Sequence, residues 1–134
     1  MKGKQMAAYG NAAVRAVTLY TAGKASSIVD GWEIASREFF NTESAQKKGC
    51  PRTTFLGICE GGNVQGVPSG EYNTKLSDNK QYGLKAIAAL RSNPMLADDQ
   101  ALLWKKIGND KLKPNSQMEV VTALWKAGLI RTIR

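Results

Sequence analysis

Between Ser27 and Phe39, apolar side chains recur at Ile28, Trp32, Ala35 and Phe39. Steps of four, three and four residues place all of them on one stripe of an α-helix. Ser27 followed three residues later by Asp30 has the spacing of a capping box, which satisfies backbone N–H groups at a helix start. A helix carrying such a stripe must be covered by another element, so this segment predicts a packed helical domain with Trp32 and Phe39 in its core.

The rest of the chain repeats the pattern. Residues 5–22 contain no proline and are rich in alanine, with Ala13, Val17 and Tyr20 at helical spacing and Gly23-Lys24 as a stop. Asn41 and Thr42 offer caps for a short helical turn through Lys48, which Gly49 would end. Pro51 suits the first position of a third helix, lined by Phe55, Leu56 and Cys59 and stopped by Gly61-Gly62. From Asn63 to Pro68 polar and apolar residues alternate too briefly for more than a very short strand, and a turn-rich stretch follows to Asn79. Asp78 and Gln81 can cap a fourth helix with Tyr82, Ala86, Ile87 and Leu90 as its apolar positions, ending before Asn93-Pro94. Asp98 and Asp99 start a fifth, running through Leu102, Leu103 and Trp104 to Ile107-Gly108. Ser116 and Glu119 form a second capping box for a sixth, which carries Val120, Val121, Leu124 and Trp125 and stops at Gly128. About six helices of unequal length with short connections predict an all-α fold: a compact orthogonal bundle with at most one very short β pair, forming a single domain over residues 1–134.

At 134 residues the chain is long enough to bury a core without disulfide or metal staples. No stretch approaches the roughly 20 apolar residues that cross a bilayer. The basic start, Met1 to Met6, is not followed by the apolar region of a secretion signal, so a cytoplasmic setting without membrane contact is expected. Nineteen Lys and Arg against eleven Asp and Glu leave a charge of +8, which favours anionic partners or solubility.

The chain has no histidine, which removes Ser-His-Asp and Cys-His nucleophile systems and His-containing zinc sites. Cys50, beside Pro51 and near Lys47, Lys48 and Arg52, is the one reactive-thiol candidate, and no partner base accompanies it. Asp98 and Asp99 are adjacent and point in different directions, and no phosphate-binding glycine loop is present. No cofactor or metal is implied, and a non-enzymatic role is expected.

Three readings of function follow. The first is a non-catalytic module that presents a helical surface to a protein partner or to a second copy. The second is nucleic-acid binding. The run from Met118 to Arg134, a helix followed by Gly-Leu-Ile and alternating arginines, looks like the helix-to-wing passage of winged helix-turn-helix domains. It makes Lys126, Arg131 and Arg134 phosphate-contact candidates, together with Lys105, Lys106, Lys111 and Lys113. The third is a small-molecule or peptide pocket lined by Trp32, Tyr72, Trp104 and Trp125, whose rings join apolar bulk to a polar handle.

Four stretches taken together resemble a family of small uncharacterised bacterial all-helical proteins. They are the run from Gly10 to Val17, Trp32-Glu33-Ile34-Ala35 through Phe39-Phe40, Lys48-Gly49-Cys50-Pro51-Arg52 through Phe55 to Cys59, and Leu124-Trp125. The resemblance covers most of the chain and implies a compact bacterial helical domain with no functional residues to carry over. Such proteins are often encoded on mobile gene cassettes, including integrons.

Overall fold

A computed structural model describes residues 8–72, 77–109 and 111–131. The elements are α1 (Ala8–Thr21), α2 (Ile28–Phe39), α3 (Glu43–Gln46), α4 (Gly49–Glu60), α5 (Asp78–Ser92), a 3-10 helix (Pro94–Asp98), α6 (Gln100–Lys106) and α7 (Gln117–Lys126). The all-helical bundle expected from the sequence is what forms. Positions 5–7 of the first expected helix lie outside the described residues.

The capped stripe of α2 behaves largely as its spacing dictates. Ser27 Oγ accepts the Asp30 N–H at 3.0 Å, and the Asp30 carboxylate reaches back to the Ser26 N–H at 3.1 Å. Ile28, Trp32 and Ala35 are buried, with Trp32 stacked on Phe55 at 5.2 Å between ring centroids. Phe39 corrects the expectation. It is the last residue of the helix and stays 42 % exposed. The next residue, Phe40, is half-buried instead, its ring 4.3 Å from that of Tyr9 on α1.

Helix α1 lies between α2 and α7, and both crossings use a missing side chain. A Cβ on Gly31 of α2 would sit 2.8 Å from the Ala16 carbonyl oxygen. A Cβ on Gly10 of α1 would sit 2.7 Å from the Ala123 Cβ and 2.9 Å from the Glu119 carbonyl oxygen on α7. Helix α7 also packs on α4, α5 and α6, which places it centrally. Its Val120, Val121 and Leu124 are wholly buried, each contributing about 2 kcal/mol by removal from water.

Several boundaries shift for local reasons. Gly49, expected to stop a helical turn, opens α4, so Pro51 is its third residue rather than its first. The N–H that proline lacks there is one of the first-turn donors with no partner inside the helix. Ser77, not Asp78, caps α5 and accepts the N–H groups of Asn79 and Lys80 at 3.1 and 3.4 Å. The 3-10 helix was not legible in the sequence, and it moves the cap of α6 to Asp99, which accepts the Leu102 N–H at 3.0 Å. Leu102 is 40 % exposed, because Leu103 and Trp104 occupy the buried face of this short helix.

The expected capping box at Ser116 does not close. Ser116 has φ +72°, and its hydroxyl accepts no bond from the start of α7. The Glu119 carboxylate bonds to α1 instead.

A single β-bridge, within the expected limit of one very short β pair, forms where α4 and α7 end side by side. Gly62 (φ +73°) and Gly128 (φ +74°) turn the chain out of the two helices in the same left-handed conformation. The following residues then pair as one antiparallel bridge, Val64 with Ile130. Gln65 N–H donates to the Leu129 carbonyl at 2.7 Å and Arg131 N–H to the Asn63 carbonyl at 2.8 Å.

Candidate functional site

An open groove of about 950 Å³ lies along the outer side of the α1–α7 crossing. Helix α1 contributes Ala8, Asn11, Val14, Arg15 and Thr18, and α7 contributes Glu119, Thr122, Ala123, Lys126 and Ala127. Both sets follow helical spacing, so each is one stripe of its helix. Phe39 from the end of α2, its Glu38 neighbour and Gln100 from the start of α6 complete the lining. The exposed ring of Phe39, an apparent loss to the core, is therefore part of the groove wall.

The charges along the groove are largely matched. Arg15 Nε lies 2.9 Å from Glu38 Oε1, and Lys126 Nζ lies 3.1 Å from Asp98 Oδ1. Glu119 is half-buried, and its Oε2 accepts the Gly10 N–H at 3.0 Å. Burial pushes the Glu119 carboxyl above its ordinary value, while the N–H groups of Gly10 and Tyr9 and the charge of Lys48 act the other way.

The residues expected as nucleic-acid contacts fall in three places, with Arg134 outside the described residues. Lys105 and Lys106 form the last turn of α6, and the Trp104 indole N–H donates to the Leu112 carbonyl at 2.8 Å. This bond brings Lys111 and Lys113 to the same end of α6. Lys126 is drawn to Asp98, just before the other end of that helix, about 10 Å away at 1.5 Å per residue. Arg131 follows the β-bridge, its carbonyl accepting a bond from the Arg91 guanidinium, and Arg134 lies outside the described residues. Of the run after α7, the structure describes residues up to Arg131, and within these Ile130 pairs with Val64, far away in sequence.

Of the four aromatic residues expected to line one pocket, none lines the groove. Trp32 stacks on Phe55, Trp104 meets the edge of Tyr82 at 5.1 Å, and the Tyr72 hydroxyl donates to the Pro68 carbonyl at 2.6 Å. Trp125 is half-buried against the core.

Cys50 stands in the first turn of α4, and the Asn115 side-chain amide lies 3.5 Å from its sulfur. Cys59, on the same helix, is buried, and burial pushes its thiol far above the ordinary value. Among the described residues no group of three or more acidic or cysteine side chains is arranged to hold a metal ion, and no helix is long and apolar enough to cross a membrane.

Sequence reasoning missed the groove. Its lining includes Ala8, Ala123 and Ala127, which carry no chemical signature. Glu119 stands three residues after a serine, a spacing that by itself indicates only a local cap.

No curated protein and no solved structure matches the chain. A family profile does match, over residues 6–131, and its description assigns no function. Since that match takes in every helix described above, the chain belongs to the family of unknown function DUF6979.

Proposed function

We propose that this chain is a non-catalytic interaction module that takes a helical segment of a partner protein in the groove between α1 and α7. The observation that carries this reading is the groove itself, walled on both sides by helical stripes and bordered by the exposed Phe39 ring. The α1 stripe from Ala8 to Thr18 runs about 15 Å at 1.5 Å per residue, enough for nearly three turns of a helix laid alongside. Helix-in-groove recognition uses such a shape, with apolar anchors one turn apart.

The occupant is argued from charge. Arg15 and Lys126 already have Glu38 and Asp98 as partners, so the groove favours an apolar helix face over a polyanion. A second copy of this chain would bring another net charge of +8 to the contact, and that repulsion favours a different protein. The free thiols of Cys50 and Cys59 fit a reducing, cytoplasmic setting.

The test is an NMR titration of the labelled protein with a panel of short amphipathic helical peptides. A peptide of this kind shifts the resonances of Val14, Thr18, Phe39, Ala123 and Ala127 while leaving α4 and α5 unchanged. Absence of binding across the panel, or shifts centred on another face, overturns the reading.

A further inference from the structure

A second surface, at the far end of α6, has different chemistry. Residues 105–113 contain four lysines against one acid, Asp110. The Trp104–Leu112 bond folds the segment after α6 back on the helix, and the Leu112 N–H bonds to the Asn109 carbonyl at 3.1 Å. Lys105, Lys106, Lys111 and Lys113 are all exposed, and none forms an ion pair among the described residues. Arg15, Lys47, Arg52, Lys80 and Lys126 each do. Two large apolar side chains stand among these lysines. Leu102, 40 % exposed, shares the outer face of α6 with Lys105 and Lys106, three and four residues on. Leu112, 52 % exposed, lies between Lys111 and Lys113.

Like charges held together repel one another and favour an anionic ligand, while exposed leucines favour an apolar one. We propose that this end of α6 is a docking surface for an acidic polypeptide segment that carries apolar residues. Lysines are compact point charges that attract carboxylate and phosphate alike, so the choice between the two rests on the exposed leucines. Leu102 and Leu112 provide no ring on which an unpaired base could stack, but they can meet the side chains of a peptide. A seven-residue helix with two exposed leucines also offers little to a lipid surface. The proposal is independent of the groove reading, because Gln100, the α6 residue that lines the groove, stands at the opposite end of α6.

The test is a titration of the labelled full chain with four probes. These are a short peptide alternating Glu with Leu, the same peptide with Ser for Leu, a short DNA duplex, and phosphatidylglycerol-containing vesicles. The Glu-Leu peptide is expected to shift Leu102, Lys105, Lys106, Lys111, Leu112 and Lys113 and to lose affinity as salt rises. Its affinity falls about tenfold in the charge-reversed variant Lys105→Glu with Lys106→Glu. The separate variant Lys111→Glu with Lys113→Glu loses affinity likewise, with circular dichroism unchanged in both. The Ser peptide binds more weakly. Equal binding of the two peptides, tighter binding to duplex or vesicles, unchanged affinity in both variants, or no binding overturns the proposal.

Discussion

The Gly10 backbone N–H donates to the Glu119 carboxylate at 3.0 Å, joining the first described turn of α1 to α7 beside the groove that Glu119 lines. Two consequences follow, one for charge and one for packing. Because burial raises the Glu119 pKa above its ordinary 4.5, the folded state favours the protonated form more than the unfolded chain does. The associated stability is present below the unfolded pKa and is lost as pH rises through the raised folded value. Glu119→Gln, which keeps an acceptor for Gly10 but removes the charge, is therefore expected to gain melting temperature relative to wild type as pH rises from about 4 to about 7. Thermal unfolding across that range checks the sign, and a relative loss contradicts it.

The packing consequence concerns Gly10 itself. On an open helix face, Gly→Ala stabilises by up to about 1 kcal/mol. At Gly10 the added Cβ meets Ala123 Cβ at 2.7 Å and the Glu119 carbonyl at 2.9 Å, so Gly10→Ala is expected to destabilise by about 1–3 kcal/mol. Adding Ala123→Gly should restore part of the loss, since one of the two clashes is removed. Urea unfolding of the two single variants and the double variant measures the coupling.

These two residues also show what the sequence could and could not reveal. Repeating apolar spacing and local caps were legible because they depend on neighbours within four residues. Ser27 and Thr42 cap as expected, Thr42 Oγ1 accepting the Ala45 N–H at 3.2 Å. Ser116 and Glu119 have the same local pattern, yet Glu119 took a partner 109 residues away, a choice that only the α1–α7 crossing creates. Phe39 had the right spacing for the core but lies at the last position of its helix. The lysines of residues 105–113 were visible, but not the indole bond that gathers them.

Two glycines with opposite requirements provide an internal control on the backbone. Gly128 adopts φ +74° with open space around its Cβ position, so Gly128→Ala costs only backbone strain, about 1–2 kcal/mol. Gly49 has equally open space and no positive φ, so Gly49→Ala at the start of α4 is neutral or stabilising by up to about 1 kcal/mol. Chemical denaturation of both variants separates the two cases.

Trp104→Phe keeps most of the buried ring but removes the donor to Leu112. The expected cost is about 0.5–1.5 kcal/mol. Amide exchange should accelerate at Leu112, whose N–H bonds to Asn109 within the pinned segment, more than in α7. Unchanged exchange there shows that the indole bond does not hold the lysine-bearing segment.

The account rests most heavily on the α1–α7 groove as the face that receives a partner helix. Val14 is half-buried in its wall, whereas Lys85 is exposed on α5, away from it. Calorimetric titration of wild type, Val14→Glu and Lys85→Glu with an amphipathic helical peptide selected by the NMR panel compares the two faces directly. The account predicts that Val14→Glu weakens binding about tenfold or more, while Lys85→Glu binds as wild type does. Equal affinity for wild type and Val14→Glu would contradict it.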